Sequence, residues 1–289
     1  MSQRTTGDSG NFDLSWRTRK EALYTHWTRE RPRNQIQLAF RSHWQVFQEL
    51  IGELALRRGD VLEVGCGRGS LSSYFADAGW NSTLLDYSPA VLETARSIFE
   101  QHGLKATFVP GDANQLPFPE NSFDVTFSIG LLEHFENVRP VMSEQLRVLR
   151  PGGWFLGYVV PERPDNVQRY FNWINRILRI FASFGGRETK GAKPPIYRSD
   201  FGSEHYVQAM EGLNYGDLTI FGMYPMPMVS HSPEFPFSLL PAPLEWGLTR
   251  IFEGVLALRR IFTGRHGWIC SERMGQAFLV AFRKPLDSQ

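Results

Sequence analysis

The run Asp60-Val-Leu-Glu-Val-Gly-Cys-Gly-Arg-Gly-Ser70 constrains this chain more than any other stretch. An apolar segment ends on a carboxylate, Glu63, and three glycines at 65, 67 and 69 then alternate before a helix-like segment. A near-continuous apolar run of this length is the pattern of a strand buried on both faces of a parallel sheet. The glycines allow a turn that residues with side chains cannot adopt, and let backbone approach a ligand closely.

A dinucleotide fingerprint would read G-x-G-x-x-G and hold a pyrophosphate at a helix N-terminus. Here the third glycine comes one residue early and Ser70 follows it. An acidic strand end before G-x-G-x-G suits a ligand with an ammonium group and no phosphate, which S-adenosylmethionine satisfies. A nicotinamide enzyme remains the competing reading, and cofactor titration separates the two.

The following segments agree with a doubly wound sheet. Trp80 to Asp86 reads as a second strand ending on an acid, about twenty residues after the first glycine, where a carboxylate can accept both ribose hydroxyls. Ala106 to Pro110 is a short third strand before Gly111-Asp112-Ala113, and Asp112 is placed to accept from an adenine amino group. Ser122 to Ser128 is a fourth strand running into Ile129-Gly130-Leu-Leu-Glu-His134. Arg150-Pro-Gly-Gly153 leads a helix into a fifth strand, Trp154 to Val160.

Taken in order, EVGCGRG, LLDYSP, GDANQLPF, FDVTFSIGLLEHF and VLRPGG make residues 59 to 161 resemble the core of class I S-adenosylmethionine-dependent methyltransferases. They are most similar to the group acting on small molecules and quinone-type lipids. The resemblance implies that Glu63, Gly65 and Gly67 line the methionine part, with Cys66, a small residue that packs there, and Gly69 in the same cofactor-binding turn, and that Asp86 binds the ribose. It places Tyr87 against adenine and Asp112 with Ala113 at the adenine edge. Ser128, Ile129 and Gly130 pass near the methionine moiety. The implied fold is α/β: a doubly wound, mostly parallel, seven-stranded Rossmann-like sheet, with an N-terminal helical lid and a helical insertion before the last strand.

His134 is the candidate catalytic base, because it follows the fourth strand at the carboxyl edge and an ordinary imidazole accepts protons near neutrality. A base is needed only for acceptors that must lose a proton; otherwise Glu-His at this place is a packing element. Some quinone-type O-methyltransferases bind a divalent metal through Glu-x-x-Glu-His. Here Gly130 stands where the first glutamate would be, so no metal is expected.

Four regions follow: 1–13, expected to be disordered; 14–56, helical in period and broken at Pro32; 57–161, the cofactor-binding core; and 162–289, the rest of the sheet with specificity insertions at about 162–200 and 225–273. Ser88-Pro89 and Pro140 mark helix starts. In the third-quarter segment, Gln168 to Phe184 reads as an aromatic and apolar helix. Glu204 to Leu213 reads as a last helix, and Leu218 to Tyr224 and Gly275 to Lys284 as the sixth and seventh strands. The insertion between those strands carries a helix near Leu244 to Phe262. Charges interrupt it too often for a bilayer span, and it suits a membrane surface or the cover of a greasy substrate.

Composition narrows the partners. Thirty-one basic against thirty acidic residues leave a net charge of +1, which argues against a nucleic-acid footprint. The fourth strand is not followed by Asn/Asp-Pro-Pro-Tyr, and no Pro-Cys nucleophile is present for base methylation. Aromatics make up 13% of the chain and crowd the last region, which favours a small hydrophobic or aromatic acceptor. Cys66 and Cys270 are too few for a disulfide framework. No secretory signal is visible, so a cytoplasmic protein with or without membrane association is expected. Two functions remain: methyl transfer to O, N or C of a hydrophobic or lipid-like acceptor, and S-adenosylmethionine binding by a scaffold without turnover.

Overall fold

The computed structural model describes residues 24–163, 165–184, 197–231 and 238–286. The expectations for residues 1–23, the 185–193 loop and the start of the insertion at 233–237 lie outside the described residues.

Helix α1 (Gln35–Ile51) starts at Asn34, whose side chain accepts from the Gln37 N–H, and continues after Gly52 into α2 (Glu53–Arg57). The sheet strands β1 (Asp60–Val64), β2 (Asn81–Asp86), β3 (Thr107–Pro110), β4 (Phe123–Ile129) and β5 (Leu149–Val159) follow, with crossover helices α3 (Ser72–Asp77), α4 (Pro89–Gln101) and α5 (Arg139–Val148). A 3₁₀ turn at Leu132–His134 follows β4. The last region holds a 3₁₀ turn at Val167–Tyr170, α6 (Asn172–Phe184), α7 (Ser203–Ala209), β6 (Gly216–Met223), α8 (Ala242–Thr263), β7 (Ile269–Cys270) and β8 (Ala277–Arg283).

The strands lie in the order β3-β2-β1-β4-β5-β8-β6-β7. The first five are mutually parallel, while β8 is antiparallel to both β5 and β6. Among the described residues eight strands are formed, not seven: β7 pairs Ile269 and Cys270 with Met223 and Gly222, and adds an edge inside the insertion. Two residues carry no alternation for a sequence reading to detect.

β1 shows why the sheet holds together. Val61 joins the core that α1, α3 and α4 share, whereas Leu62 and Val64 join the opposite core under α5 and α7. This is the two-sided burial that crossover helices impose on a parallel strand. At the far end, Arg150 bridges Asp60 and Asp124 at 2.8 and 2.6 Å, tying the entrances of β1 and β4 to β5.

Two sequence expectations need correction. Residues 24–34 are not helical. The Thr25 hydroxyl accepts from the Trp27 N–H and the Thr28 hydroxyl from the Glu30 N–H, local bonds that compete with a helix ladder. The Gln168–Phe184 helix is split, because Asn166 caps a separate 3₁₀ turn before α6 begins. Ser88 occupies the N-cap position of α4 without making the cap bond; its N–H instead donates to Asp86 Oδ1 at 3.0 Å.

Candidate functional site

Strand order reverses between β1 and β4, the place where open α/β sheets bind ligands beyond the carboxyl ends of their strands. β1 delivers Glu63 to this edge, β2 delivers Asp86, and β4 delivers Ser128 and Ile129. Asp86 pairs in register with Pro110, so Asp112 stands two residues past the end of β3 on the same edge.

The glycine turn is held from below by β2. The N–H groups of Gly65 and Cys66 both donate to the Leu85 carbonyl, at 2.8 and 3.0 Å, and the Gly67 N–H donates to Asp86 Oδ2 at 3.1 Å. All three glycines have positive φ, between 52° and 70°. The space they leave serves the protein itself in two cases. A Cβ at Gly65 would stand 2.7 Å from Leu131 Cδ1, and one at Gly69 would stand 2.5 Å from Leu84 Cδ2.

The site gathers two carboxyl groups, Glu63 buried and Asp86 half-buried. Glu63 is buried and accepts from the Ser72 N–H at 3.3 Å; burial, reinforced by Asp86, pushes its carboxyl up to about 8. Burial also raises Asp86, against the hydrogen bonds from Ser88 and Gly67. Two carboxyl groups raised side by side favour a cation between them, since its charge would stabilise both ionised forms. The donor set therefore fits a ligand with an ammonium or sulfonium centre and ribose hydroxyls.

Other predicted residues are placed as follows. Cys66 is buried, and its thiol is pushed well above the usual range by burial and then by Asp86 and Glu63, so it presents no thiolate. Ser128 is fully buried, and its hydroxyl has no hydrogen-bond partner among the described residues. Ile129 pairs with Tyr158, whose carbonyl accepts from the Gly130 N–H at 2.9 Å. Tyr87 is 64% exposed at the rim. Asp112 Oδ1 accepts from both the N–H and the side-chain amide of Asn114, while Ala113 is buried in the second core. His134 Nδ1 hydrogen-bonds the Tyr197 carbonyl, which fixes that nitrogen as the donor.

The segment from Tyr24 to Trp27 lies on the glycine turn. The His26 N–H donates to Ser70 Oγ at 3.3 Å, and the Arg68 guanidinium stacks over the Tyr24 ring at 3.9 Å. Trp27 is buried, edge-on to Tyr74 and His102. Burial, with the nearby Arg68 charge, lowers His26 to about 4, so it is neutral at pH 7.

Sequence reasoning missed three groups here. Glu133 is fully buried, neither carboxyl oxygen has a partner at hydrogen-bonding geometry among the described residues, and burial raises it to about 7. Its Oε1 lies at ordinary contact distance, 3.4 Å, from where a Gly130 Cβ would sit, and Gly130 itself has φ +65°. His43 of α1 packs 4.4 Å from the Tyr158 ring and is pushed down to about 3 by burial. Glu245 of α8 is buried and accepts from Gln35, Ser230 and Ser238. Only the Glu-His pairing at 133–134 left a trace in the sequence; the other two depend on contacts between distant segments.

A cavity of about 460 Å³ lies beside this region, bordered by Ile36, Met228, Val229, Leu240 and Trp246, with Glu245 and His231 supplying polarity. Arg33, Asn34 and Ile36 border both this cavity and the hollow lined by Tyr24 to Arg29, which links it to the segment on Ser70. Among the described residues, no cluster of three or more His, Cys, Asp or Glu side chains could hold a metal ion.

Residues 62–157 match the family model described as a methyltransferase domain. These residues are similar to S-adenosylmethionine-dependent methyltransferase domains. The chain is 39% identical over 107 residues to a sterol 24-C-methyltransferase of Pneumocystis carinii, covering 36% of this chain and 28% of that one. It is 37% identical over 117 residues to a probable S-adenosylmethionine-dependent methyltransferase of Mycolicibacterium smegmatis, covering 40% and 43%. The matches thus span less than half the length of these relatives. The fold as a whole is similar to a Galdieria sulphuraria structure assigned by its name to sarcosine dimethylglycine methyltransferase. That likeness has a TM-score of 0.55 at 17% identity and covers 96% of this chain and 99% of that one.

Proposed function

We propose that this chain transfers a methyl group from S-adenosylmethionine to a small hydrophobic, lipid-like acceptor. The observation that carries the reading is the pair of carboxyls, buried Glu63 and half-buried Asp86, flanking a glycine turn tied to Asp86. In this reading Glu63, Gly65, Cys66, Gly67 and Gly69 hold the amino-acid end, Asp86 takes the ribose, and Tyr87, Asp112 and Ala113 meet the adenine. Ser128, Ile129 and Gly130 border the reacting end. The bound donor supplies an already electrophilic methyl group.

What the chain contributes is alignment, which in favourable cases lowers a barrier by about 7–11 kcal/mol. The segment 24–30 acts as a strap over the donor, in place of the expected helical lid. The cavity bordered by Met228, Leu240 and Trp246 receives the acceptor; its apolar lining and the sterol enzyme among the relatives both support a greasy molecule. A quinone-type lipid is the finer class we favour, with His134 as its proton acceptor where a hydroxyl is methylated.

The test is formation of S-adenosylhomocysteine by the full chain, supplied with the donor and either the organic-solvent or the aqueous fraction of a cell extract. Turnover with the organic fraction alone is expected. Turnover only with the aqueous fraction would overturn the acceptor class. Donor binding with no turnover in either fraction would favour the scaffold reading.

A further inference from the structure

Helix α6 turns a greasy stripe away from the body of the protein. Trp173, Ile177 and Phe181 follow one another at a spacing of four residues and are 61%, 44% and 69% exposed, with Tyr170 a turn earlier at 72%. Residues four apart lie on one face of a helix. The opposite face is pinned inward, because Asn175 is buried and its side-chain amide donates to the Met228 carbonyl at 2.7 Å. Arg176 is exposed beside the stripe, and Arg179, also exposed, stands one turn past Asn175.

Charge decides what such a face fits. Helix α6 carries Arg176 and Arg179 and no acid, in a chain whose total is almost balanced, while Arg169 just before it is paired with Asp165. We infer that α6 lies on an anionic phospholipid surface, with its aromatic stripe among the acyl chains and Arg176 and Arg179 at the headgroups. Aromatic residues prefer the membrane interface, and basic residues beside them add attraction to anionic lipid.

A second copy of this chain suits the face poorly. A two-fold contact through α6 would set its arginines against each other, and α6 contains no acid to offset them. Among the described residues no helix is long and apolar enough to cross a membrane, so the contact is one of lying on the surface. The inference does not depend on the methyl-transfer reading.

The test is flotation of the full chain with phosphatidylcholine vesicles, with and without phosphatidylglycerol, in low and high salt. Binding is expected only with phosphatidylglycerol and weaker at high salt. Trp173→Ser with Ile177→Ser, and separately Arg176→Gln with Arg179→Gln, should each lower the bound fraction about tenfold or more. Circular dichroism and thermal melting should show both pairs folded as wild type. Absence of flotation, or flotation that neither pair affects, would overturn the inference. So would light scattering that shows a dimer dispersed by the Trp173 and Ile177 changes.

Discussion

The Gly67 N–H donates to Asp86 Oδ2 across 3.1 Å, joining the turn after β1 to the acid that ends β2. One carboxylate thereby shapes the turn and faces the ligand edge, so its loss disturbs both. Asp86→Ala should weaken S-adenosylmethionine binding by roughly 10- to 100-fold, the range for losing hydrogen bonds to a charged group. Titration calorimetry measures this, and an unchanged affinity would remove Asp86 from the site.

Glu63 predicts a pH dependence. Its folded carboxyl is raised from 4.5 to about 8, so the native state holds a proton that the unfolded chain has released between those values. Stability of the ligand-free protein should therefore fall as pH rises from 4.5 to about 8 and level off above that. Glu133, raised to about 7, adds to the lower part of the slope. Binding a cationic ligand should release a proton below pH 8, seen as calorimetric heats that depend on the buffer. Glu63→Gln should abolish that dependence; if the heats stay as in wild type, the carboxyl does not face the cation.

Gly65 tests the packing account of the turn. With φ +70° and Leu131 Cδ1 only 2.7 Å from a added Cβ, Gly65→Ala should cost about 1–3 kcal/mol in urea unfolding. Adding Leu131→Ala should recover the steric share and leave the backbone share. Equal loss in the single and double variants would show that Leu131 is not the obstacle.

Glu245 holds the insertion helix to the N-terminal helix. It accepts from the Gln35 backbone N–H at 3.0 Å and from the hydroxyls of Ser230 and Ser238 at 3.1 and 2.7 Å. Glu245→Ala leaves these donors without their acceptor and should destabilise the protein by about 2–4 kcal/mol, while Glu245→Gln retains part of the loss. Chemical denaturation compares the two, and parity of the alanine variant with wild type would contradict the role.

How far the sequence revealed this arrangement follows from the range of the contacts involved. The glycine turn, Glu63 and Asp86 were legible because strand, turn and helix are local, and the fold places strand ends in line. The strap at 24–30 was misread: its apolar residues suggested a helix, whereas Thr25 and Thr28 bond their own neighbourhood and Arg41 donates to the carbonyls of Thr28 and Glu30. Glu245 looked like an ordinary charge on a helix, because its partner Gln35 lies 210 residues away. The periodicity of α6 showed that it is amphipathic, but only Asn175 bonding to Met228 decides which face is turned in.

The most direct measurement is calorimetric titration of the full chain with S-adenosylmethionine and, in parallel, with NAD. Saturable binding of S-adenosylmethionine, weakened in Asp86→Ala and accompanied by proton release that Glu63→Gln removes, is the predicted result. Binding of NAD in its place, or no saturable heat with S-adenosylmethionine, would contradict the account.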